Sequence, residues 1–116
     1  MTITQPEIIS LRREADTVRL TLRIPEALVY FRGHFEQVPL LPGVVQVDWA
    51  IRLGRQHFNM PPNFKKLSAL KFMHVISPGA QLTLVLTWQA DASELSFRYE
   101  AAELLYSSGR ILFGDA

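Results

Sequence analysis

An aspartate in the middle of a predicted helix is the first residue of this sequence whose position suits chemistry. Asp48 stands among Val44, Val45, Val47 and Trp49, where a carboxylate is costly to bury. Two interpretations stand. Either Asp48 faces solvent, which helix geometry slightly favours, or apolar surroundings raise its pKa so that it acts as a general acid.

A histidine and a glycine precede this helix. His34 lies between Gly33 and Phe35 in a loop, where a lone histidine is usually solvated or hydrogen-bonded. Pro42-Gly43 opens the helix, whose first amides are unpaired and whose dipole is positive at that end. Because glycine lets a substrate approach the backbone closely, this helix end is suited to holding a developing oxyanion.

Other chemistries have little support in the sequence. His57 and His74 are expected to be structural or exposed, at the end of the helix and within a strand, and no metal-type spacing joins the three histidines. There is no cysteine, no GxSxG elbow and no glycine-rich phosphate loop. Neither a metal nor a cofactor is therefore expected.

The elements that must position Asp48, His34 and Gly43 follow from hydrophobic periodicity. Alternation predicts strands on either side of one helix, and a sheet can bury such a helix by curling around it. The expected fold is therefore α+β, an antiparallel sheet curled around one long central helix. The predicted order is two strands in residues 7–24 joined by a turn at Ala15-Asp16, a short helix from Pro25, an irregular loop at 33–43, the helix from 43 to about 58, and strands at 64–77, 80–90, 94 to about 103 and 104–113.

The helix carries apolar residues on nearly every side, which predicts that it is buried. One stripe and the opposite sides both contribute: Val44, Val47, Ile51 and Phe58, with Val45, Trp49, Ala50 and Leu53.

Composition bounds the class of protein. The chain has 116 residues, a formal net charge of +1 and 48% hydrophobic residues, which predicts one domain with one core. No polybasic tract indicates nucleic acid. No secretory signal and no uninterrupted apolar run long enough for a bilayer is visible, so a cytoplasmic protein without a membrane span is expected.

Residues 30–51, YFRGHFEQVPLLPGVVQVDWAI, resemble the signature of the 3-hydroxyacyl-[acyl-carrier-protein] dehydratases of the FabA/FabZ hot-dog type. Gly33-His34-Phe35, Pro39, Pro42-Gly43-Val44 and Asp48 fall at the family's spacing. A weaker similarity follows in KFMHVISPGAQL, at residues 71–82. The resemblance implies a hot-dog domain over residues 1–116.

The same resemblance implies the roles of the site residues. His34 would be the base for the Cα proton, Asp48 the acid for the departing β-hydroxyl, and the Gly43 N–H the donor to the thioester carbonyl. The family builds its active site across a dimer. Candidates to line an acyl tunnel, each as readily explained as core, are Phe31, Phe35, Val44, Val47 and Trp49.

Departures from the family pattern indicate a specialised pathway. Glu36-Gln37 replaces the family's Pro-Gly after GHF, Trp49 replaces the usual alanine, and Arg52 replaces a glutamine common in the FabA branch. The chain is also shorter than a typical FabA, and in size it resembles the small dehydratases of aryl polyene clusters.

The expected partners are an acyl carrier protein and a second hot-dog subunit, identical or different. An uncovered edge strand and helix side predict the dimer. Because carrier proteins are acidic, a basic cluster would steer them, although the same cations serve equally well as a solvated surface. The candidate docking residues are Arg52, Arg55, Lys65, Lys66, Lys71 and Arg98.

Two alternative functions remain at this stage. A hot-dog acyl thioesterase would position a carboxylate without the GHF…PG loop, so the loop argues against it. A non-catalytic hot-dog subunit would support an active partner, and retention of both His34 and Asp48 argues against that role.

Overall fold

The computed structural model describes residues 2–31 and 39–115, which form one antiparallel sheet with a long helix against one face. Because the first two predicted strands, the helix and the last three strands lie close to their expected bounds, the predicted fold class is confirmed. The elements are β1 (Glu7–Glu14), β2 (Thr17–Arg23), a 3₁₀ turn (Val29–Phe31), α1 (Gly43–His57), β3 (Asn63–Phe72), β4 (Gln81–Gln89), a second 3₁₀ turn (Ala90–Ala92), β5 (Glu94–Ala101) and β6 (Leu104–Gly114).

The strand order in the sheet is β1-β2-β4-β5-β6-β3, so β1 and β3 are its two edges. Alternate side chains of the central strands point toward α1 and are fully buried, such as Leu20, Leu84 and Phe97. We call this side the inner face and the opposite side the outer face. The period-two pattern thus places one residue in two in the core, as the sequence predicts.

The helix is buried on one side and exposed on the other, so the expected burial applies to the side that packs against the sheet. Trp49, Ala50 and Leu53 lie in the core, whereas Val44 is 76% exposed. We call these the inner and the outer side of α1. Periodicity could not separate them because both carry apolar residues.

The third strand ends earlier than predicted. It stops at Phe72, and the backbone then leaves the ladder with β6: the amides of Met73 and His74 both donate to the carbonyl of Tyr106. Further on, the Ile76 carbonyl accepts from Leu41 and the Gly79 amide donates to Ile24. This segment is therefore tied to three different parts of the chain.

Two short connections, after β2 and before β6, differ from what the sequence predicted. Pro25 begins a turn, with its carbonyl accepting from Leu28 at 3.3 Å, and the helical turn comes only at Val29–Phe31. The break between the last two strands, which the sequence did not locate, is a two-residue turn in which Ala102 has φ 51°. Alanine rarely marks such a turn, because its Cβ disfavours positive φ.

Candidate active site

The first turn of α1 presents unpaired backbone amides. The Pro42 carbonyl accepts from the amides of Val45 (3.1 Å) and Gln46 (3.2 Å). Within residues 2–31 and 39–115, no acceptor lies within hydrogen-bond distance of the amides of Gly43 or Val44. Because the helix dipole is positive here, these two N–H groups suit a carbonyl oxygen that gains negative charge.

A cavity of about 280 Å³ opens beside these amides, and we call it the Gly43 cavity. The Phe72 ring lies so near that a Cβ built on residue 43 would be 2.5 Å from its Cζ. A side chain at position 43 would displace the ring, so glycine keeps the backbone accessible. The cavity is lined by Leu40, Leu41, Gly43, Gln46, Phe72, Met73, His74 and Val75.

The wall of the cavity includes a polar group that the sequence analysis did not single out. Gln46 is buried, and its amide nitrogen donates to the Leu41 carbonyl at 3.0 Å. Its amide oxygen accepts from the Ser107 hydroxyl at 2.7 Å. The Tyr99 hydroxyl donates to the Gln46 backbone carbonyl at 2.6 Å. Burial raises the pKa of Tyr99 well above its usual value, with a smaller contribution from the negative charge of Asp48. A buried glutamine in an apolar helix is the one sequence signal that could have found this network.

Asp48 lies on the outer side of α1. Its side chain is 48% exposed, and Oδ2 accepts from Arg52 Nε at 2.8 Å. In the single chain, Asp48 therefore faces solvent, which is the first of the two interpretations that the sequence left open. Asp48 does not line the Gly43 cavity within the described residues.

A second cavity, of about 250 Å³, runs between the outer side of α1 and the edge strand β3, and we call it the outer groove. Its lining is apolar and its rim is exposed, with Val44 at 76% and Phe72 at 49%. Gly43 and Phe72 border both cavities, which therefore lie side by side at the helix start. The lining residues of the outer groove are Gly43, Val44, Val47, Leu67, Leu70 and Phe72.

Of the three histidines, the structure describes His57 and His74. His34 lies in the segment 32–38, outside the described residues, and its predicted role stays a prediction. His57 ends α1, and its carbonyl accepts from Arg13 at 2.6 Å. His74 was placed within a strand by the sequence, and that placement is wrong: it follows β3 and lines the Gly43 cavity.

The candidate tunnel residues do not share one surface. Val44 and Val47 line the outer groove. Trp49 is fully buried, and its indole N–H donates to the Thr4 carbonyl at 3.1 Å, so it belongs to the core of this chain. Phe31 packs partly buried against the core, and Phe35 lies outside the described residues.

The predicted docking cations are divided between two parts of the molecule. Arg52 pairs with Asp48, and Arg55 donates to the carbonyls of Pro61 and Pro62, both at 3.0 Å. Lys71 and Arg98 instead lie on the outer face of the sheet, where they share a cavity of about 220 Å³ with Arg110, which the sequence analysis missed. We call it the basic cavity.

The other two docking candidates also lie on β3. The outer-face neighbour of Lys66 across the ladder is Leu112, and the Lys65 side chain runs along Gly114, where its Cε would be 2.7 Å from an added Cβ. Of the predicted docking residues, Lys71 on β3 and Arg98 on β5 therefore line the basic cavity, whereas the two on α1 do not.

The described residues hold neither a metal-type cluster nor a membrane-spanning helix. They contain no cluster of three or more His, Asp or Glu side chains arranged to hold a metal ion. None of their helices is both long enough and apolar enough to cross a bilayer.

Comparison with solved structures places this geometry among dehydratases. A chain of the dehydratase heterocomplex ApeI:P from Xenorhabdus doucetiae matches with a TM-score of 0.86 and 31% identity, over 93% of this chain and 96% of that one. An uncharacterized protein from Erwinia carotovora subsp. atroseptica matches with a TM-score of 0.80 and 32% identity, over 93% and 94%.

A more distant match shows the fold alone. The dehydratase domain from the CurK module of curacin polyketide synthase has a TM-score of 0.66 and 14% identity, over 95% of this chain and 43% of that one. Together with the ApeI:P match, it confirms the hot-dog fold. A search of curated proteins gave no match.

A family model supplies the remaining evidence. The model described as ApeI-like, ApeI dehydratase, matches residues 10–110, which include all of α1, four of the six strands in full and most of the other two. With the fold and the 31% identity to a chain of the ApeI:P dehydratase, this match shows that the chain belongs to the ApeI-like dehydratase family.

Proposed function

We propose that this protein removes water from a 3-hydroxyacyl thioester held by an acyl carrier protein, giving the trans-2-enoyl thioester in fatty-acid or aryl polyene synthesis. One observation carries the proposal: in a member of a dehydratase family, the free Gly43 amide forms part of the wall of a cavity. The thioester carbonyl would accept from this amide, which stabilises the enolate-like charge as the reaction proceeds.

The proton transfers are assigned to His34 and Asp48. His34 takes the Cα proton, the Cα–Cβ double bond forms, and the Cβ–oxygen bond breaks as Asp48 gives its proton to the leaving hydroxyl. The products are the enoyl thioester and one water. A proton returned from His34 to Asp48, directly or through water, resets the pair.

The placement of Asp48 supports a site completed by a second hot-dog subunit. Asp48 and the free Gly43 amide lie on the same helix, but Asp48 faces outward beside the uncovered outer groove. A subunit seated there would bury Val44 and Phe72 and bring its own residues toward Asp48. The similar ApeI:P protein is a heterocomplex. A different hot-dog chain is therefore a candidate partner, in addition to a second copy of this chain.

Mass spectrometry of the purified protein with 3-hydroxyacyl carrier substrates tests the reaction. Loss of water is expected. Loss of the acyl chain would instead indicate a thioesterase. No change with the protein alone, but loss of water by the complex with a copurified partner even when this chain carries Asp48→Asn, would indicate a non-catalytic subunit.

The basic cavity supports delivery by an acidic carrier protein. Lys71, Arg98 and Arg110 face one another there with the hydroxyls of Ser96 and Ser108, and only Arg98 has a carboxylate partner, Glu100 at 3.3 Å, among the described residues. Such clustered charge accelerates association more than it adds affinity.

Charge reversal tests this docking surface. Lys71→Glu with Arg110→Glu should raise KM for the carrier substrate and weaken its salt dependence, while turnover of a short synthetic thioester stays nearly unchanged. Arg12→Glu with Arg23→Glu makes the same charge change on β1 and β2, toward the other edge of the sheet, and serves as the control. Equal losses on both substrates would rule out docking at the basic cavity.

A further inference from the structure

We infer that Gln46 is a positioning residue, whose side chain fixes the chain just before α1 and so holds the Gly43 amide in place for the reaction. This inference rests on the proposed function, because the amide matters only if a carbonyl binds there. It arises from four hydrogen bonds that connect α1, β5, β6 and the segment after β3.

The Leu41 backbone is held on both of its polar atoms. Its amide donates to the Ile76 carbonyl at 2.8 Å, and its carbonyl accepts from Gln46 Nε2 at 3.0 Å. Leu41 is 2% exposed, so water does not compete for these groups. Since only Pro42 separates Leu41 from Gly43, and proline fixes its own φ, this clamp determines where the Gly43 amide points.

Gln46 is itself anchored. Ser107 on β6 donates to its side-chain oxygen at 2.7 Å, and Tyr99 on β5 donates to its backbone carbonyl at 2.6 Å. The first turn of the helix is thereby tied to two central strands. Buried and fully paired polar groups of this kind select one arrangement, because any shift would leave a donor or acceptor unsatisfied.

The side chain of Gln46 acts on the reaction through Leu41 rather than through substrate. Its oxygen is engaged by Ser107 and its nitrogen by Leu41, and within the described residues no buried side-chain nitrogen or oxygen lacks a partner. Pro42 makes no side-chain cap hydrogen bond, and among the described residues Gln46 supplies the side-chain donor to the Leu41 carbonyl.

Three variants separate positioning from stability. Gln46→Met keeps the shape of the side chain but removes the donor to Leu41, whereas Ser107→Ala and Tyr99→Phe each remove one bond of the network and leave the Leu41 clamp in place. We expect Gln46→Met to lower kcat by about 10- to 100-fold, the scale of a small misplacement near a reacting group, with KM changed by less than about twofold. The two controls should lower the melting temperature similarly and leave kcat within about twofold of wild type.

Amide hydrogen exchange gives a readout that does not depend on activity. The Leu41 amide should be protected in wild type, exchange about 2- to 10-fold faster in Gln46→Met, and remain protected in Ser107→Ala and Tyr99→Phe. Should Gln46→Met fail to fold, the wild-type measurement decides: a Leu41 amide that exchanges as freely as an exposed loop amide overturns the inference.

The remaining outcomes are also decisive. A folded Gln46→Met protein with wild-type kcat and wild-type Leu41 exchange would overturn the inference. The inference would also be overturned if kcat decreased in all three variants in proportion to the decrease in their melting temperatures. If the wild-type protein dehydrates nothing while the exchange pattern is as expected, the proposed function fails and the clamp on Leu41 stands.

Discussion

The inner and outer sides of α1 belong to one helix, but they differ in how far their side chains are buried and hydrogen-bonded within the chain. On the inner side, Trp49 and Gln46 are buried and every polar group they offer has a partner in the chain. On the outer side, Val44 is exposed, the outer groove is open, and Asp48 is half exposed beside Arg52. The chain thus satisfies the inner side of α1 by itself, and the outer side, which carries the proposed acid Asp48, stays open.

The largest expected effect tests whether the outer side carries the chemistry. Asp48→Asn should lower kcat by about 100- to 10,000-fold, because a general acid is lost. The melting temperature should barely change, since the exposed pair with Arg52 contributes only about 0.5 kcal/mol. Steady-state kinetics and thermal unfolding measure the two effects.

Arg52→Gln is the matched control for this substitution. It breaks the same ion pair but keeps the carboxyl group, so most activity should remain. If Arg52→Gln lost as much activity as Asp48→Asn, the ion pair and not the carboxyl group would be the essential feature of the outer side.

Mixing variants sharpens the idea that two subunits share a site. His34→Ala and Asp48→Asn should each be nearly inactive, yet a re-equilibrated mixture should recover part of the activity, since one hybrid site would contain both wild-type groups. The measurement is activity after mixing at equal concentrations. An active enzyme that sediments strictly as a monomer would contradict this expectation.

A smaller effect tests the outer groove as a partner surface. Val44→Lys should weaken association by about 2 kcal/mol, because it places a charge in an apolar contact. The free energy of unfolding of the isolated chain should change by less than about 0.5 kcal/mol, as the residue is exposed there. Analytical ultracentrifugation would measure the first quantity and denaturant titration the second.

Gln56→Lys, at an exposed position of the same helix, is the control for charge alone. It should leave assembly unchanged. Unaltered assembly of the Val44→Lys protein would place the partner elsewhere than on the outer groove.

The smallest effect probes the inner side through pH. Burial, and then the charge of Asp48, raises the pKa of Tyr99 well above its ordinary value of 10.0. Above about pH 10 the unfolded chain therefore loses the Tyr99 proton while the folded chain keeps it, and stability falls as pH rises by up to about 1.4 kcal/mol per pH unit. Tyr99→Phe should remove this share of the decline.

Denaturant titrations between about pH 9 and 11.5 would measure the slope, which follows from proton release by the unfolded state. Ser107→Ala, which removes a neighbouring bond but no titrating group, should lower stability by a similar amount at every pH. An identical alkaline slope in wild type and Tyr99→Phe would show that Tyr99 is not held neutral by the fold.

Local residue patterns were enough to predict the helix and most of the strands. Alternation in residues 17–24 and the apolar helix from Gly43 specify their elements locally, because side-chain periodicity is a property of consecutive residues. Pro42-Gly43 likewise marks the helix start that carries the free amides. The spacing of His34, Gly43 and Asp48 was sufficient to suggest the dehydratase family.

Which side of α1 meets the sheet depends on tertiary packing, because both sides carry apolar residues and local periodicity does not distinguish them. The partners of Gln46 also depend on tertiary structure. The same holds for Lys71, Arg98 and Arg110, which lie on three different strands and line one cavity. Ser107 is 61 residues from Gln46, and such a contact exists only once β6 has taken its place in the sheet. Contacts between distant elements arise from strand order and register, and local residue patterns do not encode either.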